Sequence, residues 1–516
     1  MLTATNINFD DESLNNYGDV LSHATWIRRG FLANENKPIF RSHNRFGNRV
    51  DTIEFHPAYH EIMQLGINNK LHSLPWTDNN NGSHLTRLAL NYMHTQNESG
   101  TSCPLTMTFA AVPALRKHFA KANEWIPKIL SNKYDGRNIP YFEKEGLTIG
   151  MAMTEKQGGT DVKANTTMAK PISKSGNGEA YLLVGHKWFC SAPMSDAFLT
   201  LAQTEKGISC FLFPRFKPDG TKNDFAIQRL KDKLGNRSNA SSEIEFNNAF
   251  AWLIGDEGRG ISIVIDMVAM TRYDCMIGSA GLMRRGVAEA IHHIKQRKVF
   301  GKTLANHDLM KNVAADLCLE TEAALAMTIK AAMCLESAQE ADKLLLRLLL
   351  PIGKYWITKR TSSVMVEAME CLGGNGYIEE SILPRLYREA PVNAIWEGSG
   401  NVQCLDILRA INKEKDVLEV FINELETAKG FNTNYDLFVE ILKQNIEKFT
   451  TSVFQLRVFA ERLAIGFQAA QLIKLSHPKI ANTFCNNRLT DCKSLMFGTL
   501  NEQSNCSFII ERYLQV

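Results

Sequence analysis

A block of short β-rich runs, from about residue 146 to residue 255, interrupts a chain whose pattern is otherwise helical. Runs such as AYLLVGHKWFCS and ISCFLFPRF are cut by Gly, Asn, Asp and Pro, which is typical of the turns in a small sheet or barrel. On both sides of the block, apolar residues recur three and four positions apart, as in amphipathic helices. There is no βαβ alternation and no G-x-G-x-x-G after a strand, so the pattern disfavours a Rossmann fold.

Long helices are predicted after the β-rich block. The first covers residues 261–297, two more lie near 308–338 and 341–371, and a fourth begins around Val402. Helices of this length pack well as an antiparallel bundle. We therefore predict a mainly α protein with a β insert, an α+β fold. Its predicted parts are a helical domain (1–150), a β domain (151–260), a helical bundle (261–412) and a helical extension (413–516).

Charge and hydropathy narrow the possible classes of protein. With 58 basic and 55 acidic residues, the net charge of +3 does not favour binding to nucleic acid or to membranes. The most apolar run, residues 344–356, is broken by Arg347 and Lys354, so no membrane-spanning segment is predicted. The start of the chain lacks the pattern of a secretory signal, and the eleven cysteines include no C-x-x-C pair. These features predict a cytoplasmic protein with reduced thiols and no membrane association.

The first segment with the character of a ligand site is AMTEKQGGTDVKA, residues 152–164. Gly158 and Gly159 allow a ligand to approach the backbone closely, and Thr154 and Thr160 can hydrogen-bond a polar heterocycle. A strand followed by a Gly-Gly turn explains the same residues, and the spacing alone favours that interpretation.

Two further segments carry an aromatic ring and a cluster of bases. In GHKWFCSAP, Trp188 offers a flat ring and Ser191 a hydroxyl, which suit a flavin but also a β-domain core. In KQRKVFGKTL, Arg297 lies at the end of a predicted helix. It can hold a pyrophosphate by paired hydrogen bonds, or it can be part of a solvated helix end.

Two glycine-rich segments lie nearer the C-terminus. In EAMECLGGNGYIEESILPRLYRE, Gly373, Gly374 and Gly376 end a helix and open a loop suited to a nucleotide or to a simple helix cap. In AIWEGSGNVQCLD, residues 394–406, Glu397 stands between an indole and small residues. It is either part of a surface turn or a base on a slim backbone.

Together these segments resemble the acyl-CoA dehydrogenases. AMTEKQGGTDVKA and ECLGGNGYIEESILPRLYRE resemble the two signature patterns of that family. QRKVFGKTL and IWEGSGN resemble its R-x-x-F-G and Y-E-G-T segments. The resemblance covers roughly residues 50–412, and LKDKLGNRSNASSEIEF together with the helical tail is most similar to the DNA-alkylation-response, AidB-like branch.

The resemblance implies a helical N-terminal domain, a middle β-barrel domain and a C-terminal four-helix bundle. It also implies FAD between the β domain and the bundle, reaching a neighbouring subunit, and hence a homo-oligomer, expected to be a tetramer. The residues expected to bind FAD are Met153, Thr154, Gly158, Gly159, Thr160, Trp188, Ser191, Arg297, Phe300, Gly373, Gly374, Ile395, Trp396, Gly398, Ser399, Gly400 and Asn401.

The resemblance also implies a catalytic role for Glu397. It would remove the α-proton of an acyl-CoA thioester while the β-hydrogen leaves as hydride to flavin N5. Some family members place the base before an arginine on the long helix, but that position is Thr271, which is no strong base. Trp396 replaces the usual tyrosine. The expected substrate is a short or branched acyl-CoA or a related small molecule, and the expected electron acceptor is an electron-transfer flavoprotein.

The AidB-like branch implies a second function, protection of DNA by a flavoprotein with little or no dehydrogenase activity. Residues 413–516 contain 12 basic and 12 acidic residues, so the tail is neutral. Arg409 is a candidate contact for double-stranded DNA. A basic patch in the tail is an alternative contact, but the interpretation of its residues as solvated surface groups is favoured. The patch would consist of Lys474, Lys479, Arg488 and Lys493. A third alternative is direct oxidation of a nitroalkane or alkylating compound by oxygen.

A metal site is not predicted. His56 and His60 are four residues apart, but Pro57 disfavours one continuous helix through both, and the glutamate of a metalloprotease motif is missing.

Overall fold

The β-rich block forms one seven-stranded sheet in a computed structural model that describes residues 1–78, 81–490 and 495–515. Pro171, Gly207 and Pro214 lie at strand ends and Gly255 directly follows a strand, as the pattern predicted. The described strands are β1 (Ile39–His43), β2 (Arg49–Glu54), β3 (Ile149–Ala152), β4 (Met168–Pro171), β5 (Ala180–Ser191), β6 (Ala197–Thr204), β7 (Gly207–Pro214), β8 (Phe225–Leu230), β9 (Ser241–Ile254), β10 (Lys298–Val299) and β11 (Lys302–Thr303).

The sheet closes on itself. Strands β6, β4, β5, β9 and β7 follow one another, and β7 pairs again with β6; β3 adds to β6 and β8 adds to β9. Closure leaves few free edges and encloses a core of aromatic side chains. Within it the rings of Phe198 and Phe213 stack at 4.8 Å, and Phe246 meets Phe213 edge-on at 5.0 Å. The fold class predicted from the sequence is confirmed.

The helices carry the apolar period read from the sequence. They are α1 (Asp11–Ser22), α2 (Ala24–Glu35), α3 (Pro57–Asn68), α4 (Leu74–Thr77), α5 (Ser83–Asn97), α6 (Ser102–His118), α7 (Ala122–Ile129), α8 (Gly260–Gln296), α9 (Asp308–Glu336), α10 (Glu340–Cys371), α11 (Leu383–Glu389), α12 (Gly400–Lys413), α13 (Val417–Glu426), α14 (Thr433–Thr450), α15 (Leu456–Leu475), α16 (Pro478–Arg488) and α17 (Cys506–Gln515). The four long helices predicted after the β block are α8, α9, α10 and α12. Across the described ranges, no helix combines the length and the apolar character needed to span a membrane.

Two short hairpins were not predicted from the sequence. Strands β1 and β2 pair within the region that was predicted to be helical. They were missed because a strand as polar as IFRSH shows little alternation of apolar and polar residues. Strands β10 and β11 pair across a two-residue turn in which Phe300 (φ 49°) and Gly301 (φ 81°) are both left-handed. That backbone is the preferred geometry for a tight hairpin, although a phenylalanine adopts it rarely.

The chain groups into two compact units. Unit A comprises residues 1–10, 80–92 and 272–516, and unit B comprises residues 11–79 and 93–271. In unit A, the C-terminal extension packs on the bundle: α13 and α15 contact α10, and α15 and α17 contact α9. The indole N–H of Trp356 on α10 donates to Gln468 on α15 at 3.0 Å. The four-part division of the chain remains a prediction.

Unit B contains a buried histidine that lies between two hydroxyl groups, with Glu98 nearby. The Nδ1 atom of His94 lies 2.7 Å from the Tyr17 hydroxyl, and its Nε2 atom lies 2.9 Å from the Thr101 hydroxyl. The ring is fully buried, and burial lowers the pKa of His94 to about 4. Protonation of this ring therefore works against the folded state.

We expect unit B to lose stability as the pH falls from about 6.5 to about 4. In that window the unfolded chain takes up a proton at His94 that the folded chain does not, which costs roughly 3 kcal/mol in total. Thermal unfolding followed across the window tests this, with His94→Gln as the control because glutamine keeps polar contacts without titrating. An equally steep pH dependence in His94→Gln would contradict the assignment.

Candidate active site

Glu397 lies on a short strained loop of unit A. The loop joins a 3-10 turn, Ala390–Ala394, to the start of α12. Glu397 has a φ of 56° and Gly398 a φ of 91°, both in the left-handed region. That conformation costs a residue with a side chain about 1–2 kcal/mol. Strain of this kind persists only where surrounding contacts impose it, and it clusters at functional sites.

A buried lysine supplies one of those contacts. The Nζ atom of Lys354, on α10, donates to the carbonyl oxygen of Trp396 at 2.7 Å and also to that of Gly398. The ring of Trp396 is fixed as well, since its N–H donates to Asn393 at 3.0 Å. The backbone is therefore held on both sides of Glu397.

Two further side chains hold the same loop. The Nε2 atom of Gln403, on α12, donates to the carbonyl oxygens of Glu397 at 3.0 Å and Gly398 at 2.8 Å. The Nε atom of Arg272, on α8, lies 3.4 Å from the carbonyl oxygen of Glu397. Sequence reasoning missed Lys354 and Gln403, because neither belongs to a recognisable motif.

Two glycines of the loop lie close to side chains of the neighbouring helices. A Cβ atom on Gly398 would lie 2.7 Å from Nε2 of Gln403, and one on Gly400 would lie 2.6 Å from Cε of Lys359. From the sequence, these small residues were interpreted as a slim backbone around a base. The structure adds that they lie close to α10 and α12.

Replacing Gly398 by alanine is expected to destabilise unit A by more than the backbone strain alone, because the new methyl group displaces Gln403 from both carbonyls. Gly430→Ala is the matched control: Gly430 has a similar φ of 87° with no atom within 4 Å of the added Cβ. Denaturant unfolding of the two variants measures the difference. Equal losses would show that the Gln403 contacts contribute nothing.

The remaining candidates on this loop are partly exposed. The side chain of Ile395 is 66% exposed, and Ser399 is the exposed N-cap residue of α12. The amide oxygen of Asn401 accepts a hydrogen bond from Arg457 at 2.9 Å. Ile395 and Ser399 are thus accessible to a ligand, while Asn401 also ties α12 to α15.

Unit B brings the first two sequence segments together. The backbone N–H of Trp188 donates to the carbonyl oxygen of Thr154 at 2.8 Å, so β5 lies beside the residues that follow β3. Asn165 donates to the carbonyl oxygen of Met153 at 3.1 Å. A turn from Glu155 to Gly158 follows, as the strand-and-turn interpretation predicted.

The glycine pair in this turn is partly open. A Cβ atom on Gly158, whose φ is 139°, would meet no atom within 4 Å, whereas one on Gly159 would lie 2.4 Å from the Thr154 hydroxyl. Gly159 and Thr160 are both exposed. The backbone of Gly158 therefore has open space beside it, whereas a side chain at position 159 would collide with Thr154.

A fully buried ion pair anchors this segment. The carboxylate of Glu155 accepts from Nζ of Lys187 at 2.8 Å, and neither side chain is exposed. Glu155 also accepts from the backbone N–H groups of Thr166 at 2.6 Å and Thr167 at 3.2 Å. Burial opposes ionisation of Glu155, but the hydrogen bonds from Lys187 and Thr167 outweigh it and lower its pKa. Glu155 is thus an anchor for the loop.

The ring of Trp188 is half-buried and lies among cations. The Nζ atom of Lys231 is 3.4 Å from the ring centroid, and Lys156 and Arg229 are each 5.9 Å from it. Lys231 also forms an ion pair with Glu243 at 2.5 Å. The ring is therefore a surface group in a basic setting and not a core tryptophan.

Ser191 is half-buried at the end of β5. Its hydroxyl lies 3.2 Å from that of Ser241, which accepts from Nζ of Lys233 at 3.0 Å. This chain of hydrogen bonds fixes the Ser191 hydroxyl at the end of β5.

The other candidates in unit A are at its surface. Arg297 follows the end of α8 and is exposed, and Phe300 at the tip of the β10–β11 hairpin is 94% exposed. Gly373 has a φ of 60° just after α10, as in a helix cap, and neither it nor Gly374 has an atom within 4 Å of an added Cβ. Both interpretations of these segments, ligand contact and helix end, fit the structure.

The candidate DNA contacts are largely engaged in ion pairs. Arg409 pairs with Asp406 at 3.3 Å, and Asp406 also pairs with Arg272 at 2.5 Å and Arg347 at 3.0 Å. In the tail, Lys474 pairs with Glu424 at 2.7 Å.

The other residues of the suggested basic patch differ in setting. Arg488 pairs with Asp316, and Lys479 lies 4.8 Å from the ring of Phe508. Lys493 lies outside the described residues. The paired lysines and arginines support the interpretation of these residues as ordinary surface groups.

The two histidines considered for a metal have structural partners. Nδ1 of His56 accepts from the backbone N–H of Ala58 at 3.1 Å and caps α3, whose first residue is Pro57. Nδ1 of His60 lies 2.8 Å from the Tyr134 hydroxyl. Within the described ranges, no cluster of three or more metal-ligating side chains occurs.

Comparison with known families fits this arrangement. Residues 1–136 match the adaptive response protein AidB N-terminal domain, residues 150–249 the acyl-CoA dehydrogenase middle domain, and residues 258–412 the acyl-CoA dehydrogenase C-terminal domain. The chain belongs to the acyl-CoA dehydrogenase family, whose members are FAD-dependent oxidoreductases acting on CH–CH groups.

Within the family, the chain is 43% identical to AidB of Escherichia coli (strain K12) over 487 residues, which covers 94% of this chain and 89% of AidB. The predicted AidB-like branch is thereby confirmed. A structure of Caenorhabditis elegans ACDH-11 with C11-CoA has a TM-score of 0.85 at 27% identity, covering 93% of this chain and 88% of that one. An FAD complex of a Bacillus anthracis acyl-CoA dehydrogenase has a TM-score of 0.70 at 14% identity, covering 93% and 86%.

Proposed function

We propose that this protein dehydrogenates an acyl-CoA thioester, with Glu397 as the base. The observation that supports this most is the loop geometry: an acidic residue is kept in a left-handed conformation by side chains from α8, α10 and α12. A positioned carboxylate contributes on the order of 10²–10⁴-fold as a general base. Enclosure and hydrogen bonds to the thioester oxygen would stabilise the developing enolate.

In the proposed reaction, Glu397 takes the α-proton and becomes a neutral carboxylic acid. FAD, when bound, would accept the β-hydrogen as hydride, and the product would be the α,β-unsaturated thioester. Lys354, Gln403 and Arg272 hold the backbone that carries the base. Each of these groups acts before the proton moves, by fixing the geometry.

The described residues fit FAD in several respects. Trp188 offers a half-buried ring, its backbone N–H is bonded to the carbonyl of Thr154, and the hydroxyl of Ser191 is oriented by Ser241. Open space beside Gly158 suits close approach of a cofactor. The residues proposed to bind FAD are Met153, Thr154, Gly158, Gly159, Thr160, Trp188, Ser191, Arg297, Phe300, Gly373, Gly374, Ile395, Trp396, Gly398, Ser399, Gly400 and Asn401.

The proposal is tested by anaerobic addition of acyl-CoA thioesters to the purified yellow protein. Because the C. elegans relative holds C11-CoA, the panel includes long chains beside short and branched ones. At least one thioester should bleach the flavin and yield its enoyl thioester, detected by mass spectrometry. FAD that no thioester reduces, or protein that binds no FAD, would overturn the proposal.

The electron acceptor, subunit number and cellular location are further predictions. An electron-transfer flavoprotein should reoxidise the reduced protein, whereas release of peroxide would favour direct oxidation by oxygen. A homotetramer should be seen by light scattering. The cytoplasmic location rests on the cysteines, ten of which are free among the described residues.

The link to DNA alkylation damage rests on the similarity to AidB. If this protein associates with DNA, it should bind a duplex with an affinity that falls steeply as the salt concentration rises. Arg409→Ala should then weaken binding uniformly across sequences. Salt-insensitive or absent binding would discard this second function and leave the dehydrogenase.

A further inference from the structure

Lys354 is a buried lysine whose ammonium group faces backbone oxygens. Its side chain is 1% exposed, and its contacts are the carbonyl oxygens of Trp396 and Gly398. In the part of the chain that the structure describes, it forms no ion pair. A buried ammonium without a paired carboxylate is costly, and two carbonyl oxygens compensate only part of that cost. Its position beneath the Glu397 loop indicates that the ammonium group stabilises the conformation of this loop.

The two carbonyl groups belong to the residues immediately before and after Glu397. A single ammonium group thus grips the backbone on both sides of a residue with a φ of 56°. Burial lowers the pKa of Lys354, while the charge of Glu397 acts in the opposite direction. The other titratable or charged groups near this pair are Cys275 and Arg272 on α8, Lys359 on α10 and Asp406 on α12.

We propose that Lys354 is a positioning residue for the base. It fixes Glu397 in the left-handed conformation by holding the carbonyl groups of the residues before and after it. Lys354 keeps its own proton throughout, and the proton removed from the substrate goes to Glu397. The assignment of Glu397 as base rests on the proposed function, but the contacts of Lys354 with the loop backbone do not.

Three substitutions separate charge from packing. Lys354→Met removes the charge and both hydrogen bonds, Lys354→Gln keeps a donor without charge, and Lys354→Arg keeps both. Lys343→Met is the matched control, since Lys343 lies on the same helix and is exposed. Lys354→Met should slow flavin reduction on the order of 100-fold, as expected for a misplaced group. The loss should fall on kcat, with the KM for the thioester within a few-fold of wild type; Lys354→Gln should lose less, and Lys354→Arg should recover most of the rate.

Amide hydrogen exchange gives a measurement that does not depend on activity. Exchange is followed in the peptide that contains residues 395–400 of each protein. It should become faster in Lys354→Met, because the carbonyl groups of Trp396 and Gly398 lose their donor, and stay near wild type in Lys354→Arg and Lys343→Met. Unchanged exchange in Lys354→Met would overturn the inference. If no thioester reduces the wild-type flavin, the proposed function fails, but the exchange measurement still decides the role of Lys354.

Discussion

Replacing Glu397 by glutamine is expected to slow flavin reduction by acyl-CoA by about 10²–10⁴-fold while FAD remains bound. Glutamine has nearly the same shape, but its neutral amide cannot accept the α-proton. The loop contacts go to backbone carbonyl groups, so the substitution leaves the hydrogen bonds from Lys354 and Gln403 in place. Anaerobic rapid mixing with a thioester that bleaches the wild type measures the rate.

Glu419→Gln is the matched control for this experiment, because Glu419 is an exposed acid on the neighbouring α13. It should reduce its flavin at the wild-type rate. A Glu397→Gln protein that retains FAD and reacts within a few-fold of wild type would show that another group removes the α-proton.

Replacing Lys187 by methionine is expected to destabilise unit B by about 3–5 kcal/mol, because Glu155 would be left as a buried charge without its partner. The side chains of both residues are fully buried, and Lys187 also donates to the carbonyl oxygen of Leu201 at 2.7 Å. Since Glu155 anchors the turn next to Thr154, we also expect weaker FAD binding. Denaturant unfolding and flavin content measure the two effects.

The double variant Glu155→Gln with Lys187→Met should recover much of the lost stability, because removing both charges removes the uncompensated one. Lys170→Met, an exposed lysine on β4, is the control and should be near neutral. A Lys187→Met protein that unfolds at the wild-type denaturant concentration would contradict the role of this ion pair.

The long helices and the β block were predictable from periodicity, since α8, α9 and α10 carry their apolar residues at helical spacing over many turns. The hairpin β1–β2 was not predictable, because its residues are too polar to show the alternation of apolar and polar positions that marks a strand. For the site, Glu397 was found through the resemblance of its segment to a family motif. Its left-handed backbone depends on partners from distant helices and could not be predicted from that segment.

Lys354 shows most clearly which contacts a sequence pattern does not predict. In the sequence it is a charge that interrupts the apolar run of residues 344–356, and it argues only against a membrane span. In the structure it lies beneath the loop, 42 residues before the Trp396 carbonyl oxygen that it contacts. Lys187 is similar, because its partner Glu155 is 32 residues away. Contacts of this kind are fixed by tertiary packing, which a local pattern does not encode.

The most direct test of the central claim uses the wild-type protein and a thioester that carries deuterium at its α-carbon. The protein is mixed with the labelled and unlabelled thioesters without oxygen, and the loss of visible flavin absorbance is timed. If a carboxylate removes the α-proton as hydride passes to the flavin, the labelled thioester bleaches the flavin several-fold more slowly. Identical rates for the two thioesters in a chemistry-limited reaction, or no bleaching by either, would contradict the account.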